Sequence, residues 1–252
     1  MIITLSPAKL MDFSPTPVKE KTQPLFQHEA EKLMKLLETF SLEDITHMMG
    51  INPKLGFEAY QHIHSFFSKK SPLKQAAYAY NGIAYQGLDY ESLREEDAVY
   101  GQKHLIMLSG LYGALRPFDL IKPYRLEMQI KLQNDKATDL YGFWKEVLTE
   151  YLIDRLKEDD NIWINLMSNE YTKAIDKKKL PSGITVITPD FKEQTATGYR
   201  QVVVHTKKAR GMFARFVIEN RITDIEHLKA FDYEGYSFSH QLSKKDSWVF
   251  VR

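Results

Sequence analysis

The chain has 252 residues, 43% of them hydrophobic, and carries 34 basic against 33 acidic side chains for a net charge of +1. That is enough for a real core in one large domain or two small ones, and the balanced charge gives no composition-level sign of a nucleic-acid binder. With no cysteine, disulfides, thiolate nucleophiles and cysteine-held iron or zinc are excluded. No apolar run approaches the ~18 residues of a membrane span. The opening Met1-Ile-Ile-Thr-Leu-Ser-Pro is too short and lacks the basic start of a signal peptide, so a cytoplasmic protein with no membrane partner is expected.

Residues 2–5 read as a short strand ending in Ser6-Pro7-Ala8-Lys9. Pro7 suits the first position of a helix capped by Ser6, whose free N–H groups would suit an anion with Lys9 in reach. Ser6 and Lys9 also have the spacing of the serine nucleophile and lysine of penicillin-binding enzymes, a catalytic reading that stands beside the structural cap. In residues 25–40, Leu33, Met34, Leu36, Leu37 and Phe40 share one helical face and form core. Ser41 with Asp44 makes a capping box for a short helix ending at Gly50, and Asn52-Pro53 caps another running to about Phe67.

This pair resembles a degenerate helix-hairpin-helix, whose glycine, apolar, glycine turn becomes Gly50-Ile51-Asn52 followed by Lys54. In that motif the turn amides hold a DNA phosphate without reading sequence; two core helices joined by a tight turn are the competing reading. His62 and His64, two apart on a helix, point in different directions, so no metal is expected there. Residues 76–85, broken by Asn81-Gly82, are expected to contain a strand. Ser92 with Glu95 predicts a capped helix from Leu93 to about Gln102.

Residues 105–108 are too short an apolar run for a helix and read as a buried strand stopping at Ser109-Gly110, with a second glycine at Gly113. Pro117 and Pro123 prevent one regular helix over residues 116–125. Ser109, Tyr112, Arg116, Asp119, Lys122, Tyr124, Arg125 and Glu127 therefore sit just past a strand end, where open α/β sheets place ligands. The arginine forks suit carboxylate or phosphate; salt bridges that merely tie down a long loop are the alternative. Neither the P-loop nor the dinucleotide fingerprint is present.

Thr138 is expected to cap a long amphipathic helix through Lys157. Residues 162–166 read as a strand followed by Ser168-Asn169-Glu170-Tyr171, and residues 184–187 and 202–205 as further strands. From Thr206 a helix puts Ala209, Phe213, Phe216 and Val217 on one face and Lys207, Lys208, Gly211 and Arg215 on the other, with Arg210 at the border. Cations in a first turn oppose the macrodipole by ~0.3–1 kcal/mol, so a compensating negative group is expected unless the face is simply solvated. Residues 233–238 and 247–251 read as two closing strands.

Together these stretches resemble the YaaA family of bacterial peroxide-stress proteins. The resemblance rests on Ser6-Pro7-Ala8-Lys9 with Asp12, Leu108-Ser109-Gly110-Leu111-Tyr112-Gly113 with Leu115-Arg116-Pro117, and Pro123-Tyr124-Arg125-Leu126-Glu127-Met128. It continues through Asn165-Leu166 with Ser168 and Glu170-Tyr171, Lys207-Lys208-Ala209-Arg210-Gly211, Glu219-Asn220-Arg221, and Val249-Phe250-Val251-Arg252. Leu10, Phe118, Met167 and Gln129 depart from the usual Thr, Leu, Ala and Gly, and none removes a charge. The resemblance implies a role in limiting oxidative damage linked to intracellular iron, and a single mixed α/β domain with a basic cleft, DNA binding and a helix-hairpin-helix-like element. The absence of cysteine and of a histidine cluster argues against direct iron storage.

The expected fold is thus mixed α/β (α+β): one domain over residues 1–252, with a central mixed sheet, flanking helices and a helical subregion at 25–67. The leading functional expectation is binding of duplex or branched DNA through a basic cleft of Lys9, Arg116, Lys122, Arg125, Lys207, Lys208, Arg210 and Arg215, with Gly50, Ile51, Asn52 and Lys54 as a second phosphate contact. Tyr112 and Tyr124 would stack on exposed bases. The alternative is an enzyme acting on a nucleotide-like small molecule or modified nucleobase in the same cleft, with Ser6, Lys9, Ser109, Tyr112, Glu127 and Glu170 as catalytic candidates and Asp119 as a further acid–base group. A scaffold whose basic surface recruits a partner is a third reading. No cofactor is expected. The first two require the loops after Leu5, Leu108 and His205 to converge.

Overall fold

The computed structural model describes residues 1–18 and 20–252. Its first half contains β1 (Ile2–Leu5), α1 (Gln27–Leu37), α2 (Leu42–Met49), α3 (Pro53–Ser65), β2 (Lys74–Gln75), α4 (Ala76–Ala79), α5 (Ile83–Leu88) and α6 (Glu95–His104). Then come β3 (Leu105–Ser109), β4 (Gly113–Leu115), β5 (Leu120–Ile121), α7 (Leu140–Lys157), β6 (Ile162–Asn165) and α8 (Asn169–Thr172). The chain closes with β7 (Thr185–Thr195), β8 (Gly198–Arg200), α9 (Val203–Glu219), β9 (Ser237–Phe238) and β10 (Ser247–Val251). The mixed α/β class expected from the sequence is the one observed.

The sheet runs β4-β3-β1-β6-β7-β10-β9, with β8 paired to β7. Its five central strands are parallel, and β4, β8 and β9 add antiparallel pairs at the margins. Continuous apolar runs belong in the middle of such a sheet, because helices cover both faces. Every residue of β1 and β3 is accordingly buried. Numbered in chain order, the parallel strands lie 2-1-3-4-5, so the direction of winding reverses between β1 and β6. A crevice opens outside the strand ends at such a reversal.

Two close approaches set the helices and loops around that crevice. α5 and α9 cross at Gly87 and Gly211; a Cβ on Gly211 would stand 1.7 Å from the Ala84 carbonyl oxygen. After β3, a Cβ on Gly110 would stand 2.3 Å from the Leu126 carbonyl oxygen. Only a residue without a side chain lets the segment at 124–128 pass over that strand end.

Several local expectations are corrected. Residues 76–85 hold α4 and part of α5 instead of a strand, since strand pairing stops at β2 and the alanines that follow are good helix formers. Ser92 spends its hydroxyl on the Asp89 carbonyl oxygen, so α6 starts at Glu95 without a capping box. Asp139, not Thr138, caps α7, accepting the Gly142 N–H at 2.7 Å. Residues 203–205 open α9 in place of a strand, and the strand there is β8. Lys207 and Lys208 therefore sit beyond the first turn, where the expected dipole penalty fades. The Ser41–Asp44 capping box, the left-handed Gly50 and the Asn52 cap form as expected.

Candidate functional site

Beyond Leu5 the chain is irregular; no helix starts at Pro7, which corrects the reading of Ser6 as a cap. Ser6 bridges the winding reversal instead. Its Oγ accepts the Ser168 N–H at 2.9 Å and donates to Ser168 Oγ at 3.3 Å, joining the loop after β1 to the loop after β6. On the other side, Asn81 N–H donates to the Leu10 carbonyl at 2.9 Å, and the Tyr85 hydroxyl to the Ser6 carbonyl at 3.0 Å.

Ser109 is the hub of a buried network. Its Oγ accepts the N–H groups of Leu111 and Tyr112 at 3.2 and 3.0 Å and meets the Tyr124 hydroxyl at 2.7 Å, which meets Tyr80 at 2.6 Å. The network anchors the segment crossing Gly110 and so delivers Tyr124, Arg125 and Glu127 to the crevice. α9 brings Lys207 and Arg210 from the opposite side.

These segments line a cavity of about 600 Å³ at the carboxyl ends of β1 and β6. Ser6, Lys9, Arg125, Glu127, Glu170, Lys207 and Arg210 all reach it, as do Tyr85, Tyr124, Tyr171 and Ser168. Glu127 is held by Lys9 at 2.6 Å and Arg125 at 3.3 Å. Glu170 accepts the Gln129 N–H at 3.3 Å. Burial pushes its carboxyl above the usual carboxylate range; the Gln129 amide draws it back, and the charge on Glu127 pushes further up. A carboxyl that burial makes a weaker acid thus lies near a second one paired with two cations, a difference in environment that suits an acid–base pair.

The arginines are incompletely used. The Nε atoms of Arg125 and Arg210 are buried without a hydrogen-bond partner among the described residues. Burial holds the Arg210 guanidinium below its ordinary value, with Asp190 acting against that shift. Buried donors left open in this way favour an anionic partner. Burial also pushes Tyr124 up to about 12, and Tyr85 and Tyr171 well above the ordinary phenol, so all three stay protonated at neutral pH.

Other sequence candidates lie elsewhere. Arg116 donates to buried Asp119 at 2.9 Å through its side chain and at 2.8 Å through its backbone N–H. Lys122 donates to the Phe66 carbonyl and sits over the Phe66 ring. Lys208 pairs with Glu234 at 2.5 Å, and Arg215 with Glu219 at 2.6 Å. Tyr112, expected to stack on bases, is 1% exposed and offers them no face; its hydroxyl accepts the Lys122 N–H. Ser109 is likewise buried behind Tyr124.

In the turn between α2 and α3, Gly50 and Ile51 donate their N–H groups to the carbonyls of His47 and Thr46. The N–H groups of Asn52 and Lys54 have no partner among the described residues, and Lys54 is exposed. Its neighbour Leu55, whose N–H is capped by Asn52 at 2.9 Å, lines the cavity. Sequence reasoning missed Tyr85 and Leu55. The Asn81-Gly82 break beside a run of tyrosines was the signal available for the first; the second depends on tertiary packing alone.

The fold and site define an α/β protein with a cavity lined by tyrosines, cations and two carboxyls at the winding reversal of its parallel sheet. Residues 1–242 match the family model described as peroxide stress protein YaaA, and the chain belongs to that family. Relatives named UPF0246 protein come from Alteromonas mediterranea, 44% identical over 100% of this chain and 98% of its own length, and from Francisella tularensis subsp. tularensis, 40% identical over 100% of both chains. Another, from Acaryochloris marina, is also 40% identical over 100% of both.

Proposed function

We propose that the cavity is a binding site for a single nucleotide or modified nucleobase unit, with phosphate on Arg125, Arg210 and Lys207 and the planar ring against the tyrosines. Two arginines on one cavity of about 600 Å³, each with a buried Nε that lacks a partner among the described residues, carry this reading. That volume lies within the ~300–1,000 Å³ of small-ligand sites. Glu170, whose carboxyl burial makes a weaker acid, is positioned to donate to a ring nitrogen or a leaving group, beside Glu127 with its two cationic partners. Calorimetric titration with nucleoside 5′-monophosphates tests it. Binding should weaken by about 10- to 100-fold in Arg210→Ala, the equivalent of one charge-assisted hydrogen bond. No heat with any monophosphate, or Arg210→Ala binding like the parent, would remove the cavity from the account.

A second reading, non-specific DNA binding through phosphate contacts, is favoured by the exposed Lys54 and the two open amides at the α2–α3 turn, the helix-hairpin-helix-like element. Arg116, Lys122, Lys208 and Arg215 are engaged internally, so the basic cleft of this reading narrows to the cavity cations and that turn. Protection against peroxide would then act at DNA or its nucleotides, targets of iron-driven oxidation.

A further inference from the structure

Resting on both readings above, we infer that the ligand reaches the cavity as a nucleotide extruded from a DNA strand held at the α2–α3 turn. Leu55 links the two places: it is the third residue of α3, next to exposed Lys54 and its open amide, and its side chain forms part of the cavity wall. The turn that would hold a phosphate is therefore adjacent in the chain to a residue that lines the cavity. Size decides how DNA can use both. A duplex whose major groove alone is about 12 Å wide cannot enter about 600 Å³, whereas one nucleotide swung out of the stack can.

The rim supplies the remaining part. Leu10 lines the cavity yet is 66% exposed, a large apolar side chain left open to solvent among the described residues. Apolar side chains at such an edge fill the gap an extruded base leaves and keep its neighbours apart. Across the mouth, Lys207 is exposed and forms no ion pair among the described residues, available to the flanking phosphate.

The experiment uses the full chain and a duplex carrying 2-aminopurine at a mismatch, whose fluorescence rises on unstacking. Binding is followed in parallel by anisotropy of an end label. Saturating protein should raise the 2-aminopurine signal about twofold or more. Excess nucleoside monophosphate should abolish the rise while the duplex stays bound, and Leu10→Ala should lower the rise at equal occupancy. Monophosphate that binds while the bound duplex gives no rise, or a rise insensitive to monophosphate, would overturn the extrusion and leave the nucleotide site intact. Failure of monophosphate to bind at all would overturn both.

Discussion

Replacing Gly211 by Ala tests whether the α5–α9 crossing holds the site together. The added methyl would meet the Ala84 carbonyl oxygen at 1.7 Å and the Leu88 amide nitrogen at 2.7 Å, against the 3.4 Å at which ordinary contact begins. Both obstacles are backbone, so no rotamer relieves them and the helices must part. Overpacking costs typically about 1–3 kcal/mol, and contact at half the normal distance places this case near the top. Alanine returns about 1 kcal/mol in helix propensity, leaving a net loss of about 2 kcal/mol. For a chain of this size that corresponds to about 4–8 °C in Tm. Thermal unfolding by circular dichroism measures it, with Gly183→Ala as control because nothing lies within 4 Å of a Cβ there. Arg210 rides on the displaced turn of α9, so monophosphate affinity should fall as well. A Gly211→Ala protein melting at or above the parent would refute the reasoning.

Three other outcomes follow from the same geometry. Arg116→Ala should lower stability by about 1–2 kcal/mol in urea unfolding, less than a fully buried pair because the arginine is partly exposed, and should leave monophosphate binding unchanged. Ser6→Ala removes the acceptor of the Ser168 N–H and should cost about 1 kcal/mol by the same measurement. Glu170 has its folded-state pKa above the ordinary 4.5, so the folded protein holds that proton more tightly than the unfolded chain. Its contribution is then favourable at low pH and declines as pH rises from 4.5 through the folded value. Glu170→Gln should flatten that limb, gaining on the parent as pH rises above 4.5, as unfolding at a series of pH values would show.

Much of the site was legible because it repeats one local grammar: an apolar run, a small polar turn, then a cation. That grammar found Ser6 and Lys9, the Ser109 turn, and Lys207 with Arg210, and the cavity gathers the first and last pairs directly. Charge alone could not separate the arginines. Arg125 and Arg116 look equivalent in sequence, yet Arg116 has Asp119 three residues on, folded under it and buried, while Arg125 keeps an open donor. The run Val202-Val203-Val204 is β-branched and reads as a strand; α9 overrides that preference because Thr206, Ala209 and Phe213 are buried on it. Tyr85 and Leu55 enter the site only through contacts between distant segments, which no local pattern encodes.

The central strand has consequences for how the protein forms. β1 is flanked by β3 and β6, so Ile3 pairs with Leu105 on one side and Ile164 on the other, separations of 102 and 161 positions. Parallel pairing over such distances closes large loops before any contact repays the entropy, a topology that folds slowly. Both Ser6 and Ser168 wait on that closure. The cavity between those two loops consequently takes its shape only after the long-range pairing of β1 is complete, and until then the edges of β1 are open to pairing with other chains.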